Sequence, residues 1–210
     1  HINQLIYRTK IFPELGSGLK VRTALFDTVS KELFPFKKFE DALLNWQQTY
    51  TLNREEYLET IDTARFQNRR NRAITGKLDR LRELITWNYS YSIIQAIEQA
   101  KISLSSQASA HIEVGELDLS VEISKAEFEQ IITPLMDKAE RAIDLVLEKS
   151  GTDAGRIDRV VTTGGSSLIP AVQRLLENRF PGRVTPHSEF KSIAAGLAMA
   201  NYHGYQYCFE

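Results

Sequence analysis

The chain has 210 residues, 42% of them hydrophobic, and 26 Lys+Arg against 27 Asp+Glu leave a formal net charge of −1. That length holds one large domain or two small ones, and the balanced charge supplies no global field toward nucleic acid or an anionic membrane. A single cysteine, Cys208, excludes an internal disulfide framework and fits a reducing, cytoplasmic setting. No apolar run approaches the ~20 residues of a membrane span, and no signal-peptide pattern opens the chain. It begins at His1 and enters an apolar helical pattern at once, as a piece of a longer protein would.

Ile2, Leu5, Ile6 and Ile11 predict a short opening helix, stopped by Pro13 and Gly16-Ser17-Gly18. Residues 19–52 carry Leu25, Phe26, Leu33, Phe34, Phe36 and Phe39 without clean periodicity, and Pro35 interrupts them. Asn53-Arg54-Glu55-Glu56 reads as an N-cap with acidic first-turn residues, and Tyr57, Leu58, Ile61 and Ala64 continue a helical face. Arg65, Arg69, Arg70, Arg72, Lys77, Arg80 and Arg82 make a locally basic helical region. It reads either as a solvated face or as a site for an anion or acidic partner. Leu78, Leu81, Leu84 and Ile85 resume the apolar pattern after Gly76. A helical stretch through Trp87 and Tyr89 leads into Ile93, Ile97, Ala100 and Leu104, spaced four, three and four.

After Ser106 the texture changes. Ile112 and Val114, then Leu117, Leu119, Val121 and Ile123, alternate at period two around Gly115-Glu116 and predict a β-hairpin. Ser124 and Glu127 have capping-box spacing and open a long helix carrying Phe128, Ile131, Leu135, Ala139, Ile143 and Val146. Pro134 should bend that helix and Gly151 end it. A strand over 157–163 follows, then a turn at Gly164-Gly165, then a helix with Val172, Leu175 and Leu176 that stops at Pro181-Gly182. Val184 marks a short strand, and Ile193, Ala194, Ala195, Gly196 and Ala198 lie on a last small-residue helix. The first half is thus mainly helical and the second runs β-α-β-α. This is an α+β lobe joined to part of an α/β lobe by the long helix.

Two constellations carry candidate chemistry. Glu98, Lys101 and Ser105 fall at i, i+3 and i+7, a polar stripe beside the apolar one. Ribose hydroxyls need a carboxylate acceptor and a nearby donor, and a purine edge can use a hydroxyl. The competing reading is an exposed Glu98–Lys101 helix pair worth about 0.2–0.5 kcal/mol. The second constellation, Val160 to Pro170, orders strand, tight turn and helix N-terminus so that backbone N–H groups can approach a nucleotide. His1, His111, His187 and His203 lack metal-ligand spacing, and neither a nucleophile elbow nor a Walker A nor a G-x-G-x-x-G motif occurs. Trp46, Trp87 and the scattered tyrosines read as core or as a subdomain interface.

Taken together, these stretches resemble a known family. Glu98-Gln-Ala-Lys101-Ile-Ser-Leu104-Ser105-Ser106, the hairpin, the capped long helix and Thr163-Gly164-Gly165-Ser166-Ser167-Leu168-Ile169-Pro170 stand in the order found in DnaK-type chaperones, the seventy-kilodalton heat-shock proteins. Ser192-Ile193-Ala194-Ala195-Gly196-Leu197-Ala198 is similar to the family's Ala-Gly helix. The resemblance covers residues 90–200, and the 19–50 insert and the Trp87/Tyr89 region look like a divergent bacterial branch.

The resemblance implies an actin-like ATPase fold with ATP or ADP bound between two lobes. Residues 1–132 would be the upper subdomain of the second lobe and 133–210 the C-terminal half of its lower subdomain. It assigns Glu98 and Lys101 to the ribose, Ser105 to the adenine, Gly164, Gly165 and Ser166 to the adenosine and phosphates, and Ile169 to packing near the base. Arginines are usual in the family where Ile102 and Leu168 stand, so the base would meet aliphatic surface. Phe190 occupies the place of an acidic residue, with Glu189 one position earlier. The Gly-rich acidic loops that hold phosphates and Mg²⁺, and the catalytic Lys, belong to a part of the family's sequence not represented here. This chain alone is therefore expected not to hydrolyse ATP, and no catalytic or metal-binding residue is assigned in it. Its end, Tyr205 to Glu210, lacks the acidic-leucine linker that precedes a peptide-binding domain. Implied partners are the nucleotide and an exchange factor or co-chaperone on the upper subdomain. A protein-interaction module with degenerate nucleotide binding is the alternative, and a sugar-kinase-like member of the same fold is disfavoured by the 98–105 pattern.

Overall fold

The computed structural model describes residues 1–22, 31–186 and 192–202 and divides into two units, His1–Ile132 and Thr133–Glu210. Leu25, Phe26, His187, Glu189, Phe190, His203 and the closing stretch with Cys208 lie outside the described residues. The secondary structure is mostly helical, with three two-stranded sheets among the described residues. No described helix is long and apolar enough to cross a membrane.

The first unit opens with α1 (Ile2–Ile6), which continues as a π-helical turn (Tyr7–Ile11) and a 3-10 turn (Phe12–Leu15). This change of pitch lets Ile6, Tyr7, Ile11, Phe12 and Leu15 all be buried, more than one α-helical face could offer. Gly16 ends the segment at φ 107°, a left-handed conformation that glycine adopts without strain. Strands β1 (Lys20–Arg22) and β2 (Lys31–Leu33) pair antiparallel and lead to α2 (Lys37–Leu44). The lack of periodicity here has a physical cause. Phe34, Phe36 and Phe39 join Phe12 in one buried ring cluster, with Phe12–Phe36 centroids 5.0 Å apart, so they serve a point and not a face.

Three helical boundaries differ from the sequence reading. Helix α3 (Glu55–Gln67) has its acidic first turn, but Arg54 precedes it without a side-chain cap, so Asn53 is not the N-cap. The basic run is not one helix either. It breaks at Asn68–Asn71, where buried Asn68 donates from Nδ2 to the Ala64 carbonyl (2.8 Å) and accepts from the Arg22 N–H (3.1 Å). Asn71 then caps α4 (Arg72–Trp87) by accepting from the Ala73 and Ile74 N–H groups. Asn88, at φ 55°, ends α4 and separates it from α5 (Ser90–Leu104), so the expected continuous stretch through Trp87 and Tyr89 is also broken. Trp46 and Trp87 are not core residues of this chain; both are exposed, and Trp46 packs on Tyr91.

The predicted apolar face of α5 is buried at Ile93, Ile97, Ala100 and Leu104, and it packs against β3 (Ser109–Val114). Strand β4 (Leu119–Ser124) completes the hairpin with Ile112 opposite Val121. Leu117 is buried in the turn and not in a strand, because Gly115–Leu117 form a 3-10 turn closed by Asp118 at φ 44°. The capping box forms reciprocally. The Ser124 N–H donates to Glu127 (2.8 Å), and the Glu127 N–H donates to the Ser124 hydroxyl (3.2 Å). Lys10 pairs with the same carboxylate at 3.0 Å. Helix α6 (Lys125–Ser150) starts here and runs on through Pro134 into the second unit, ending before Gly151 at φ 61°. Of its expected apolar face, Phe128 is buried, Ile131 is half-buried and Val146 is exposed, while Ile132, outside that face, is buried. Periodicity marks which face would be covered, and among the described residues nothing buries Val146.

The second unit follows the predicted β-α-β-α order: β5 (Val160–Thr162), α7 (Pro170–Arg179), β6 (Val184–Pro186) and α8 (Ser192–Tyr202). Strands β5 and β6 are parallel, and among the described residues β5 has no second partner strand. Val161 is exposed on it.

Two consequences are measurable. Tyr7 is fully buried and burial pushes its phenol up; Ser90, whose hydroxyl donates to Thr49, lies close enough to offset this in part, but among the described residues no hydrogen bond of good geometry reaches the Tyr7 hydroxyl. Tyr7→Phe should therefore leave Tm unchanged or raise it, whereas a fall would show that the hydroxyl has a partner. Glu127 is pulled from 4.5 to about 2 by the Ser124 backbone N–H, then by Lys10 and the Ser124 hydroxyl. A lowered carboxyl pKa stabilises the fold above its ordinary value and loses that contribution as pH falls. The stability advantage over Glu127→Gln should therefore be full above pH 4.5 and fade toward about pH 2, read by denaturant unfolding at stepped pH.

Candidate functional site

Burying the 93–97–100–104 face of α5 sets Glu98 and Lys101 along the edge of that face, both half-buried. Their partner comes from α1. Asn3 donates from Nδ2 to Glu98 Oε1 (2.6 Å), Lys101 Nζ donates to Asn3 Oδ1 (2.8 Å), and Lys101 pairs with Glu98 Oε2 (2.9 Å). The three side chains close a ring. The Glu98–Lys101 pair of the competing reading does form, but it is locked to a second helix and is not an isolated surface pair. Burial pushes the Glu98 carboxyl up, yet the hydrogen bonds from Asn3 and Lys101 and the ammonium charge outweigh it, so its pKa is lowered. At neutral pH the stripe presents a carboxylate acceptor and an ammonium donor in fixed positions.

Asn3 is absent from the sequence reading. It stands 95 residues from Glu98, inside an apolar opening helix, and no spacing rule links the two. Ser105 is not part of the ring. It is the C-cap of α5, exposed, with its hydroxyl donating to the Ile102 carbonyl at 2.6 Å, which leaves the oxygen free to accept. Ile102, one turn before it, is 61% exposed.

In the second unit the chain leaves β5 and turns at Gly164, whose φ of 83° is the left-handed conformation that favours glycine. A Cβ there would meet nothing within 4 Å, so the turn demands glycine for its backbone and not for lack of space. Gly165 to Leu168 form a 3-10 turn, held by the Ser167 N–H (3.0 Å) and Ser167 hydroxyl (2.7 Å) donating to the Gly164 carbonyl. This differs from the expected direct entry into an α-helix. Ile169, extended and half-buried, precedes α7, and Pro170 occupies its first turn. Pro170 has no N–H, so the helix N-terminus lies past the glycines and starts with one donor fewer. The donors at the glycines are instead the Gly165 and Ser166 N–H groups, which precede the turn's first internal bond. Ser166 is exposed, and Leu168 is 42% exposed. Among the described residues no cluster of three or more His, Cys, Asp or Glu side chains could hold a metal ion.

Comparison with known proteins places both constellations in one matched segment. A family profile described as Hsp70 protein matches residues 86–200, more than half of the chain. The chain is 39% identical over 93 residues to heat shock 70 kDa protein 14 of Rattus norvegicus, covering 42% of this chain and 18% of that protein. It is 33% identical over 122 residues to heat shock cognate 70 kDa protein 3 of Dictyostelium discoideum, covering 56% and 18%. With the chaperone protein DnaK of Mycoplasmoides gallisepticum it shares 30% over 115 residues, covering 49% and 19%. The matches thus span about a fifth of the relatives' lengths. Asn3 lies outside the family match, whereas Glu98, Lys101, Ser105 and Gly164 to Ile169 lie inside it.

Opening the ring tests its electrostatics. Asn3→Ala removes one of the bonds that hold the Glu98 carboxylate, so the Glu98 pKa should rise toward its ordinary 4.5. Side-chain carboxyl titration by NMR reads this directly, and an unmoved pKa would show that Lys101 alone sets it.

Proposed function

Because this chain belongs to the Hsp70 family, we propose that it is the adenosine-gripping part of a DnaK-like chaperone ATPase domain of actin-like fold. Residues 1–132 would be the upper subdomain of the second lobe and 133–210 the C-terminal half of its lower subdomain. The division of the chain at Ile132 and the single partner of β5 among the described residues support that assignment. The observation that carries the functional reading is the ring that Asn3 of α1 closes with Glu98 and Lys101, the latter two on a helix the family profile matches.

In this reading Glu98 accepts from a ribose hydroxyl and Lys101 donates to one, each already oriented by Asn3. Ser105 offers its hydroxyl oxygen to the adenine edge. The Gly165 and Ser166 N–H groups and the Ser166 hydroxyl meet the adenosine and its phosphates, and Gly164 sets the backbone that aims them. Ile169 packs near the base, with exposed Ile102 and Leu168 as aliphatic surface for it. Mg²⁺ would be held, on this reading, by a part of the ATPase domain outside this chain. No hydrolytic step is assigned to these residues. Nucleotide bound here would act as a conformational switch for the chaperone.

ATP or ADP added to the full-length protein should raise its Tm with rising ligand concentration. Glu98→Ala should weaken nucleotide binding about tenfold or more, the scale of a lost hydrogen bond to a charged group. Gly165→Val should block the backbone approach, and Gly165 lacks the left-handed φ that would strain the variant. Isothermal titration separates these from folding effects. The second reading, an interaction module with degenerate nucleotide binding, draws on the exposure of Ile102 and Leu168; it is the outcome if nucleotide leaves Tm unmoved.

A further inference from the structure

The seven cations that make residues 65–82 basic do not behave alike. Arg65 pairs with Asp62 and Asp79, Arg82 with Asp62 at 2.9 Å, and Lys77 and Arg80 with Glu14 at 3.1 and 3.3 Å. These four tie α3 to α4 and α4 to the 3-10 turn before Gly16. Arg69, Arg70 and Arg72 remain, and all three are exposed at the corner between α3 and α4. Arg69 lies over the Phe66 ring at 4.7 Å and donates to the Phe66 carbonyl at 3.0 Å, while Phe66 itself is 56% exposed. The Arg70 and Arg72 guanidinium groups form no ion pair or hydrogen bond among the described residues, although the Arg72 carbonyl accepts from the Thr75 hydroxyl. The segment Phe66-Gln-Asn-Arg-Arg-Asn-Arg72 contains no acid.

The backbone beneath these side chains is braced. Asn68 joins the end of α3 to β1, and Asn71 caps α4, so the arginines stand between two side chains that fix the turn. A pre-organised corner spares a ligand the cost of ordering it. Adjacent guanidinium groups repel each other and fit carboxylates in a bidentate fork. A nucleic-acid backbone is less suited. It needs a basic stripe along its length, but the flanking cations are neutralised by Asp62, Asp79 and Glu14, and the whole chain carries −1.

We propose that the α3–α4 corner docks a short acidic peptide segment of a partner protein. Its carboxylates would lie on Arg70 and Arg72 and an apolar side chain on the Phe66–Arg69 stack. The surface works without nucleotide, so it stands or falls apart from the adenosine reading.

Fluorescence anisotropy of a labelled Glu-Glu-Glu-Phe-Glu-Glu peptide on the full-length protein tests it. Saturable binding is expected that weakens several-fold as salt rises from about 0.05 to about 0.3 M. Arg70→Glu with Arg72→Glu should abolish it. Arg70→Gln with Arg72→Gln, which adds no new charge, should weaken it about tenfold, the scale of lost charge-assisted bonds. Lys37→Glu with Lys38→Glu, exposed on α2, should change nothing, and neither should saturating ATP. The proposal is overturned if the peptide does not bind, if the Lys37 and Lys38 variant loses as much, or if single-stranded DNA of equal length binds more tightly through the same arginines.

Discussion

Burial of one face of α5 is the constraint on which the first unit depends. Ile93, Ile97 and Leu104 are each sealed from solvent, and each such side chain contributes roughly 1.5–3 kcal/mol by burial. Rotating α5 by a quarter turn would expose them, so the helix has one allowed orientation. That orientation places Glu98 and Lys101 at the edge of the buried face, within reach of α1. The hairpin follows from the same demand, since Ala110, Ile112 and Val114 alternate inward from β3, the strand against which α5 packs. The polar stripe is thus positioned by apolar packing, and its own bonds only fix the last ångström.

Much of the positive charge of residues 65–82 is consumed internally. Glu14 and Asp62 each serve two cations, which converts a basic stretch of sequence into cross-links between neighbouring elements. All four cross-linking cations are partly exposed, so each pair adds little to stability. Their effect is on distribution: within residues 65–82 they leave the unpaired positive charge at the α3–α4 corner. A surface that is neutral on average can still offer one local, braced cationic site.

What the sequence disclosed depended on how local each cause is. The α5 face and the Ser124–Glu127 cap rest on spacing along one helix, and both were legible. The breaks at Asn68–Asn71 and at Asn88 were not, because asparagine in a polar run serves as well in a helix surface as in a cap. Only the tertiary bond from the Arg22 N–H decides for Asn68. Asn3 was invisible for the same reason in stronger form, since its role exists only once α1 lies beside α5. The Phe34–Phe36–Phe39 cluster defeats periodicity because it satisfies a point contact. Val146 errs the other way: a helical face was legible, but whether anything covers it is not a property of the helix. At the Gly-Gly turn the glycines were legible, while the intervening 3-10 turn was hidden behind the more familiar order of strand, turn and α-helix.

The aliphatic residues at 102 and 168 change what the rest of the proposed site must do. A guanidinium plane holds a purine by stacking and by its charge, both of which depend on orientation. On the proposed reading, Ile102 and Leu168 would each offer dispersion and burial, which depend on area and hardly on the angle of a base. Orientation of a nucleoside would then fall to the hydrogen-bonding groups. A carboxylate and an ammonium on an exposed helix would wander among rotamers and orient poorly. Asn3 removes that freedom by bonding both at once. On the proposed reading, the closed ring would supply at the ribose the directional contact that aliphatic side chains do not give a base.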